Sequence, residues 1–331
     1  MTTPRRHHVL AAVAALGGVA LFIYSVRSAG ADRIASGVAR VGWGLIPILA
    51  LGGLRFVLRA EAWRLCTPVG SRLTLRQAFK AFLAGDALGN VTPLGLVASE
   101  PTKVFLTRHQ LATRESVASL AVDNLVYALS ISVMVAAGVI TMLVTVPLSF
   151  EMREWSLVVL VGLAVACAVA VGVLRHRHAP VRPGGTGWRE RLARVRHAVT
   201  EVAAHPARLW RAFALDLLFH VAAVLEVYLT LRWLFGDRSP TLAEAVMFES
   251  LNRVITAAFK FVPLRLGVDE AASGAFAPLL GVNPAAGVAL AVVRKVRGLF
   301  WMGVGLALIA TAHAPALPAP DRRETVSAPP T

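Results

Sequence analysis

The sequence predicts an all-α membrane protein with about six transmembrane helices and two re-entrant hairpins arranged as inverted repeats. Three observations lead to this fold class. The 331-residue chain is 56% hydrophobic and only 16% charged, whereas soluble domains average about 25% charged residues. Its apolar segments approach or exceed the roughly 20 residues that a helix needs to cross a bilayer. The third observation is a residue pattern that occurs twice at a constant spacing.

Six apolar segments are candidates for transmembrane helices. They lack the alternation of polar and apolar residues that marks membrane β-strands, and they are rich in Ala, Leu and Val. They are His8–Val26, Trp43–Leu58, Val117–Val146, Trp155–Leu174, Phe213–Phe235 and Pro284–Ala312. The first could be a signal peptide, because Arg5 and Arg6 precede it. No clear small-residue cleavage site follows, so we interpret it as a membrane span.

A set of residues recurs 170 positions later without a gap. The matching residues are Pro93-Leu94 and Pro263-Leu264, Glu100 and Glu270, Leu120-Ala121-Val122 and Leu290-Ala291-Val292, and Trp63 and Trp233. Each copy places a polar, proline-containing break between apolar segments, which is typical of transporter folds built from two repeats. The sequence therefore predicts a single transmembrane domain over 1–312, with repeat 1 at about 43–146 and repeat 2 at about 213–312.

Two segments carry too many polar groups to be simple spans. Residues 77–93 and 244–263 both have a helical pattern, and both end at the repeated proline. Non-helical backbone at membrane depth has to be covered by protein or water, so we interpret both segments as re-entrant hairpins. Counting six full crossings, the first hairpin enters from the cytoplasm and the second from outside. The two repeats are then inverted relative to each other.

The loop 175–211 sets the expected orientation. It carries nine arginines against Glu190 and Glu201, and such an excess is typical of cytoplasmic loops. Both termini then lie in the cytoplasm, although three arginines in the first outer loop run against this rule: Arg27, Arg33 and Arg40. Residues 313–331 have too few apolar groups to pack, which predicts a disordered tail.

The net charge of +15 could indicate a nucleic-acid partner. The basic residues gather instead in short loops beside the spans, where they set orientation or meet anionic lipids. No nucleic-acid partner is therefore expected. Cys66 and Cys167 have no metal-site spacing, so no metal or cofactor is expected either.

Polar side chains gather around both predicted hairpins, although an ionised group at the bilayer centre costs about 2.5–3.5 kcal/mol. Half-helix ends favour anions, so the cations and amides there predict a site for a phosphate-bearing headgroup. The predicted binding residues are Asn90, Lys103, Asn252, Arg253, Lys260 and Arg265. The residues predicted to balance charge or carry protons are Asp86, Glu100, Asp123, Glu249, Asp269 and Glu270.

The same charges also have a structural interpretation. Glu100 could pair with Lys103, and Arg265 could pair with Asp269 or Glu270, so that the ion pairs hold each hairpin together. For any single residue this alternative stays open. It is weaker for the whole set, because the cations of the second hairpin outnumber their obvious partners.

Charges in the later spans have two interpretations as well. If the repeats cross near a pseudo-two-fold axis, Asp123 could face Arg294 and neutralise it. Alternatively, Arg294, Lys295 and Arg297 lie near a helix end and extend to the lipid headgroups.

Asp216 and His220 lie four residues apart, on one face of a helix. We expect them to pair with each other. A catalytic role for this pair would instead indicate a membrane-embedded enzyme that modifies lipid headgroups. A third possibility is a non-catalytic partner that recruits a lipid synthase through the loop 175–211.

Several of these segments resemble the transmembrane domain of lysylphosphatidylglycerol synthases, which also occurs alone in flippase-like membrane proteins. The segments are Gly85–Pro93, Ser99–Lys103, Asp123-Asn124 and Phe261–Glu270. In the last segment Arg265 stands within the usual glycine-rich motif, which leaves the substrate open.

The resemblance implies a lipid translocase or lipid-binding transporter of the bacterial inner membrane rather than an enzyme. The chain ends at residue 331, with no room for the separate synthase domain of the bifunctional members. Its substrate would be a phospholipid or an isoprenoid-type lipid with an anionic headgroup. A lipid-biosynthesis enzyme is a possible partner.

Overall fold

The computed structural model describes residues 27, 31–91, 95–175, 199, 201, 204–235 and 239–312. These residues are helical with short connections and contain no β-strand, which confirms the predicted all-α class. The predicted span 8–26, residues 92–94 at the first break, residues 176–198 of the basic loop and the tail 313–331 lie outside the described residues.

The helices with described bounds follow one another along the chain with connections of a few residues, apart from the basic loop. They are α1 (Ala31–Val41), α2 (Leu45–Leu65), α3 (Leu75–Val91), α4 (Gly95–Leu106), α5 (Thr113–Thr145), α6 (Phe150–Arg175), α7 (Pro206–Phe235), α8 (Leu242–Ala258), α9 (Val268–Phe276) and α10 (Pro284–Ala312). Short 3-10 turns cover Gly42–Gly44, Pro263–Arg265 and Ala277–Leu280.

Four helical segments in the described residues are long and apolar enough to cross a membrane: Ala39–Leu65, Thr113–Thr145, Phe150–Gly172 and Pro206–Leu234. They contain or overlap four of the predicted spans. The predicted span Pro284–Ala312 is the helix α10. Only 6% of the most apolar part of helix α6 is buried, and its valines point outward. An apolar face of this length has to be covered by lipid or by protein, so the chain is a membrane protein.

The helix pattern itself repeats at the spacing found in the sequence. Helix α2 ends at Leu65 and α7 at Phe235, while α4 ends at Leu106 and α9 at Phe276, and both pairs of ends are 170 residues apart. The same shift brings α3 close to α8 and α5 close to α10. The two repeats therefore share one order of helices: α2–α5 in the first and α7–α10 in the second.

The two repeats exchange packing partners. Helix α5 of the first packs against α8 of the second, α10 of the second packs against α3 of the first, and α2 packs against α7. Glycines lie at the α5–α8 and the α10–α3 crossings. A Cβ on Gly138 would lie 2.0 Å from Ser250 Oγ, and one on Gly305 would lie 2.6 Å from the Leu83 carbonyl oxygen. This reciprocal packing agrees with a pseudo-two-fold relation, and the inversion across the membrane stays a prediction.

Each predicted hairpin contains two separate helices. Helices α3 and α4 pack along each other. In the second copy, α8 ends at Ala258 and α9 begins at Val268. Between them the backbone enters the left-handed region at Leu264 (φ 53°), Arg265 (φ 46°) and Gly267 (φ 80°). A leucine with positive φ is a rare conformation that its surroundings must hold in place. Entry of the hairpins from opposite faces remains a prediction.

Two glycines of α10 allow a matched test of the α10–α3 crossing. Gly305→Val should lower the midpoint of thermal unfolding in detergent, because the new side chain meets the Leu83 carbonyl of the neighbouring backbone. Overpacking of this kind costs about 1–3 kcal/mol. The control Gly303→Val makes the same change on the same helix where a Cβ meets nothing within 4 Å. Equal midpoints for the two variants would contradict this packing.

Candidate functional site

The first buried cluster, which we call the Arg59 triad, joins three helices. Arg59 of α2 donates from Nη2 to Asp123 Oδ2 of α5 at 2.8 Å and from Nη1 to Asp216 Oδ1 of α7 at 2.6 Å. All three side chains are buried. The guanidinium also lies over the Tyr127 ring, with 3.9 Å from Cζ to the ring centroid. One cation between two carboxylates gives this triad a formal charge of −1.

The second cluster, the Glu226 triad, reverses these charges. Arg55 of α2 lies one turn before Arg59 and donates from Nη1 to Glu226 Oε2 of α7 at 2.8 Å. Arg297 of α10 forms an ion pair with the same carboxylate oxygen. One buried carboxylate between two guanidiniums gives this triad a formal charge of +1.

The two triads lie on corresponding helices of the two repeats. In the first repeat an arginine on α2 meets an aspartate on α5, and in the second repeat Glu226 on α7 meets Arg297 on α10. Two more pairs, Arg55–Glu226 and Arg59–Asp216, cross from α2 to α7. Corresponding helices of the two repeats therefore carry charges of opposite sign.

The third cluster, the Glu249 triad, lies on α8 and α10. Arg253 donates from Nε to Glu249 Oε1 at 2.7 Å, and Arg294 donates from Nη2 to Glu249 Oε2 at 3.0 Å. Arg253 also donates to the Tyr127 hydroxyl at 3.2 Å. This triad too has a formal charge of +1.

A single aromatic ring connects the two cationic triads. The Cζ atoms of Arg55 and Arg253 lie 4.5 Å and 5.1 Å from the centroid of Phe219. The negative face of an aromatic ring attracts a guanidinium, so Phe219 holds arginines of both triads close together. Taken together, the Glu226 and Glu249 triads contain four arginines and two glutamates.

The charges at the two predicted hairpins form ion pairs of their own. Lys103 Nζ lies 2.9 Å from Glu100 Oε1, and Arg265 Nε lies 3.1 Å from Asp269 Oδ1. Both pairs match the structural alternative from the sequence. That alternative also allowed a pair between Glu270 and Arg265, which does not form. Glu270 instead lies 2.7 Å from Lys295 Nζ and accepts a hydrogen bond from the Gly267 N–H at the start of α9.

The remaining predicted site residues lie in different settings. Asn90 donates to the carboxylate and to the carbonyl of Asp86, one turn earlier on α3. Asn252 is half-buried on α8, and Lys260 is exposed just after that helix. Within the described part of the chain Lys260 forms no ion pair.

Two predicted pairings are wrong. Asp123 does not face Arg294, because Arg59 of α2 lies nearer to Asp123 and Glu249 takes Arg294. Asp216 does not pair with His220, because Arg59 offers its carboxylate a full charge. His220 instead lies 3.1 Å from Ser130 Oγ through Nε2. Sharing a helical face was not enough to bring Asp216 and His220 together.

The three cations of α10 do not extend to the headgroups either. Arg294 pairs with Glu249, Lys295 with Glu270 and Arg297 with Glu226. All three face the protein interior, where they bind carboxylates from α7, α8 and α9.

Arg55, Arg59 and Glu226 are central to these triads, and the sequence interpretation missed them as site residues. Arg59 lies just outside the predicted span Trp43–Leu58. The signal was present: two arginines four residues apart in an apolar segment lie on one helical face and require partners in the membrane.

A family model described as Lysylphosphatidylglycerol synthase TM region matches residues 9–320. The match covers both repeats and the basic loop between them. No curated protein and no solved structure matches the chain.

The triads predict different costs for removing similar arginines. Arg59→Gln leaves Asp123 and Asp216 buried without their cation, and stranding a buried charge costs about 3–5 kcal/mol. Arg55→Gln should cost clearly less, because Glu226 keeps Arg297. Thermal unfolding of the purified variants in one detergent measures both.

Asp216→Asn serves as a second control, since it leaves Arg59 paired with Asp123 as a neutral pair. An Arg59→Gln variant as stable as Arg55→Gln would show that the Arg59 triad does not hold these helices together.

Proposed function

We propose that this chain, which belongs to the lysylphosphatidylglycerol synthase TM region family, is a lipid translocase that carries a phospholipid or an isoprenoid-type lipid between the two leaflets. Membership of this family gives the protein a lipid-related function in a membrane. Movement of the lipid between leaflets is the part that we propose.

The observation that carries the proposal is the interlocked pair of repeats with charged side chains between them. Transporters built from two repeats place their substrate sites at the repeat interface, beside discontinuous helices. Here the Arg59 and Glu226 triads cross from α2 to α7, between the repeats. The break between α8 and α9 carries the left-handed residues Leu264 and Arg265.

The polar groups near the breaks suit a headgroup. We propose that Lys260 contacts the lipid first, because it is exposed beside the second break and forms no ion pair within the described residues. Arg265 is bound to Asp269 but remains partly exposed. Lys103, Arg253, Asn90 and Asn252 complete the proposed binding set, and the carboxylates Asp86, Glu100, Asp123, Glu249, Asp269 and Glu270 balance charge or carry protons.

A translocation assay tests the proposal directly. The full chain is reconstituted into liposomes containing phosphatidylglycerol with a fluorescent acyl chain, and an impermeant reductant then bleaches the accessible fluorophores. In protein-free liposomes the reductant reaches the outer leaflet only. We expect the protein to make the inner-leaflet pool accessible as well.

Lys260→Gln should slow this movement without lowering the unfolding midpoint, because no carboxylate of the described residues loses its partner. Arg76→Gln is the matched control, since it removes one exposed cation from α3 away from the breaks. Wild-type liposomes that bleach no further than protein-free ones would contradict the proposed function.

The proposed orientation places the basic loop 175–211 and both termini in the cytoplasm, in the inner membrane of a bacterium. A cysteine introduced as Gly185→Cys should then resist an impermeant thiol reagent added to intact cells, after Cys167 is replaced by alanine. The same cysteine should react once the membrane is permeabilised. Labelling in intact cells would show that the loop faces the outside, which is the opposite of the proposed orientation.

A further inference from the structure

The two cationic triads hold more positive charge than their own carboxylates neutralise. Four arginines share Glu226 and Glu249, which leaves a formal charge of +2. The arginine side chains are 7% to 19% exposed. A surplus charge that is this poorly solvated is costly unless an anion compensates it.

Acidic groups outside the two triads offset the surplus only at a distance, because among the described residues they form no ion pair with these four arginines. Asp86 interacts electrostatically with Arg55 and Arg297 and also accepts a hydrogen bond from Asn90. Asp269 interacts with Arg294, but its direct partner is Arg265. The Arg59 triad, with its formal charge of −1, is bound to its own arginine. Asp86 and the Arg59 triad together match the charge of +2 in number, but neither offers these four arginines a hydrogen-bond acceptor among the described residues.

The hydrogen-bond donors of this cluster are also incompletely used. Arg55 is 9% exposed, and its Nε is buried without a hydrogen-bond partner among the described residues. Its Nη1 binds Glu226, and the guanidinium lies over Phe219, so the plane of the fork is fixed. A buried N–H of a charged group that meets no acceptor marks a place for one.

We propose that Arg55, Arg253, Arg294 and Arg297 form a phosphate-binding site that receives the phosphodiester of an anionic lipid headgroup. The guanidinium fork matches the oxygen geometry of a phosphate, which it can bind with two parallel hydrogen bonds. One phosphodiester brings a negative charge and oxygen acceptors into direct contact with these guanidiniums, including Arg55 Nε, which has no acceptor among the described residues. The lipid source of this phosphate rests on the proposed function, whereas the anion site itself does not.

The sharing of glutamates makes the site testable without unfolding the protein. Each glutamate binds two arginines, so removing one arginine from each triad leaves two neutral ion pairs, Glu226–Arg297 and Glu249–Arg253. The double variant Arg55→Gln with Arg294→Gln therefore removes the surplus charge and leaves no carboxylate stranded. Arg76→Gln remains the surface control for charge alone.

Binding is measured by native mass spectrometry of the full purified chain titrated with phosphatidylglycerol, phosphatidylcholine or inorganic phosphate. We expect wild-type protein to prefer phosphatidylglycerol. The double variant should bind it at least about tenfold more weakly, since charge-assisted hydrogen bonds are lost. Arg76→Gln should bind as wild type does.

A folded double variant that binds phosphatidylglycerol as tightly as wild type would overturn the site. Should the double variant not fold, Arg294→Gln alone gives the same comparison, because Glu249 keeps Arg253. Binding of inorganic phosphate in preference to the lipid would overturn the headgroup assignment.

The binding experiment and the translocation assay test separate claims, so one claim can be rejected while the other stands. Arginine-dependent binding of phosphatidylglycerol without movement between leaflets would leave the phosphate site in place and reject the translocase. Movement of lipid with unaltered binding in the double variant would reject the site and keep the translocase.

Discussion

Arg59 binds Asp123 and Asp216 in a part of the protein that water hardly reaches, and the other contacts of the interior depend on this arrangement. A guanidinium on α2 that meets carboxylates on α5 and α7 holds one repeat against the other. It also fixes the register of α2 along α7, which places Arg55 beside Glu226 one turn away. Breaking a buried pair is far more costly than breaking a surface pair, so these contacts define the position of the helices.

The exchanged packing of the repeats explains why the charges meet where they do. Since α5 packs against α8 and α10 packs against α3, each repeat supplies helices that complete the other. The glycines at both crossings allow the backbones to approach closely. Equivalent helices then carry opposite charges, with Arg59–Asp123 in one repeat and Glu226–Arg297 in the other. The surplus of positive charge collects around Phe219, where guanidiniums from α2 and α8 lie over the same ring.

The helices could be predicted from the sequence because their signals are local. Apolar length located four spans, and the 170-residue spacing of residues such as Trp63 and Trp233 recurs in the ends of the helices. The pairs Lys103–Glu100 and Arg265–Asp269 were also within reach, since each joins residues three or four positions apart. The triads were not, because Arg59 and Asp216 are separated by 157 residues and meet only through the packing of α2 on α7. Local spacing predicted His220 as the partner of Asp216, but Arg59 from α2 forms the ion pair with Asp216 instead.

The central claim is that the surplus arginines hold the phosphate of a lipid, and a dipolar-recoupling measurement between phosphorus and nitrogen tests it most directly. Solid-state nuclear magnetic resonance on the arginine-labelled chain in phosphatidylglycerol bilayers detects guanidinium nitrogens that lie near lipid phosphorus. The account predicts strong phosphorus dephasing of a guanidinium resonance that is present in wild type and in Arg76→Gln, and absent when Arg55 and Arg294 are both glutamine. Dephasing that is the same in all three proteins, or absent from all three, would contradict it.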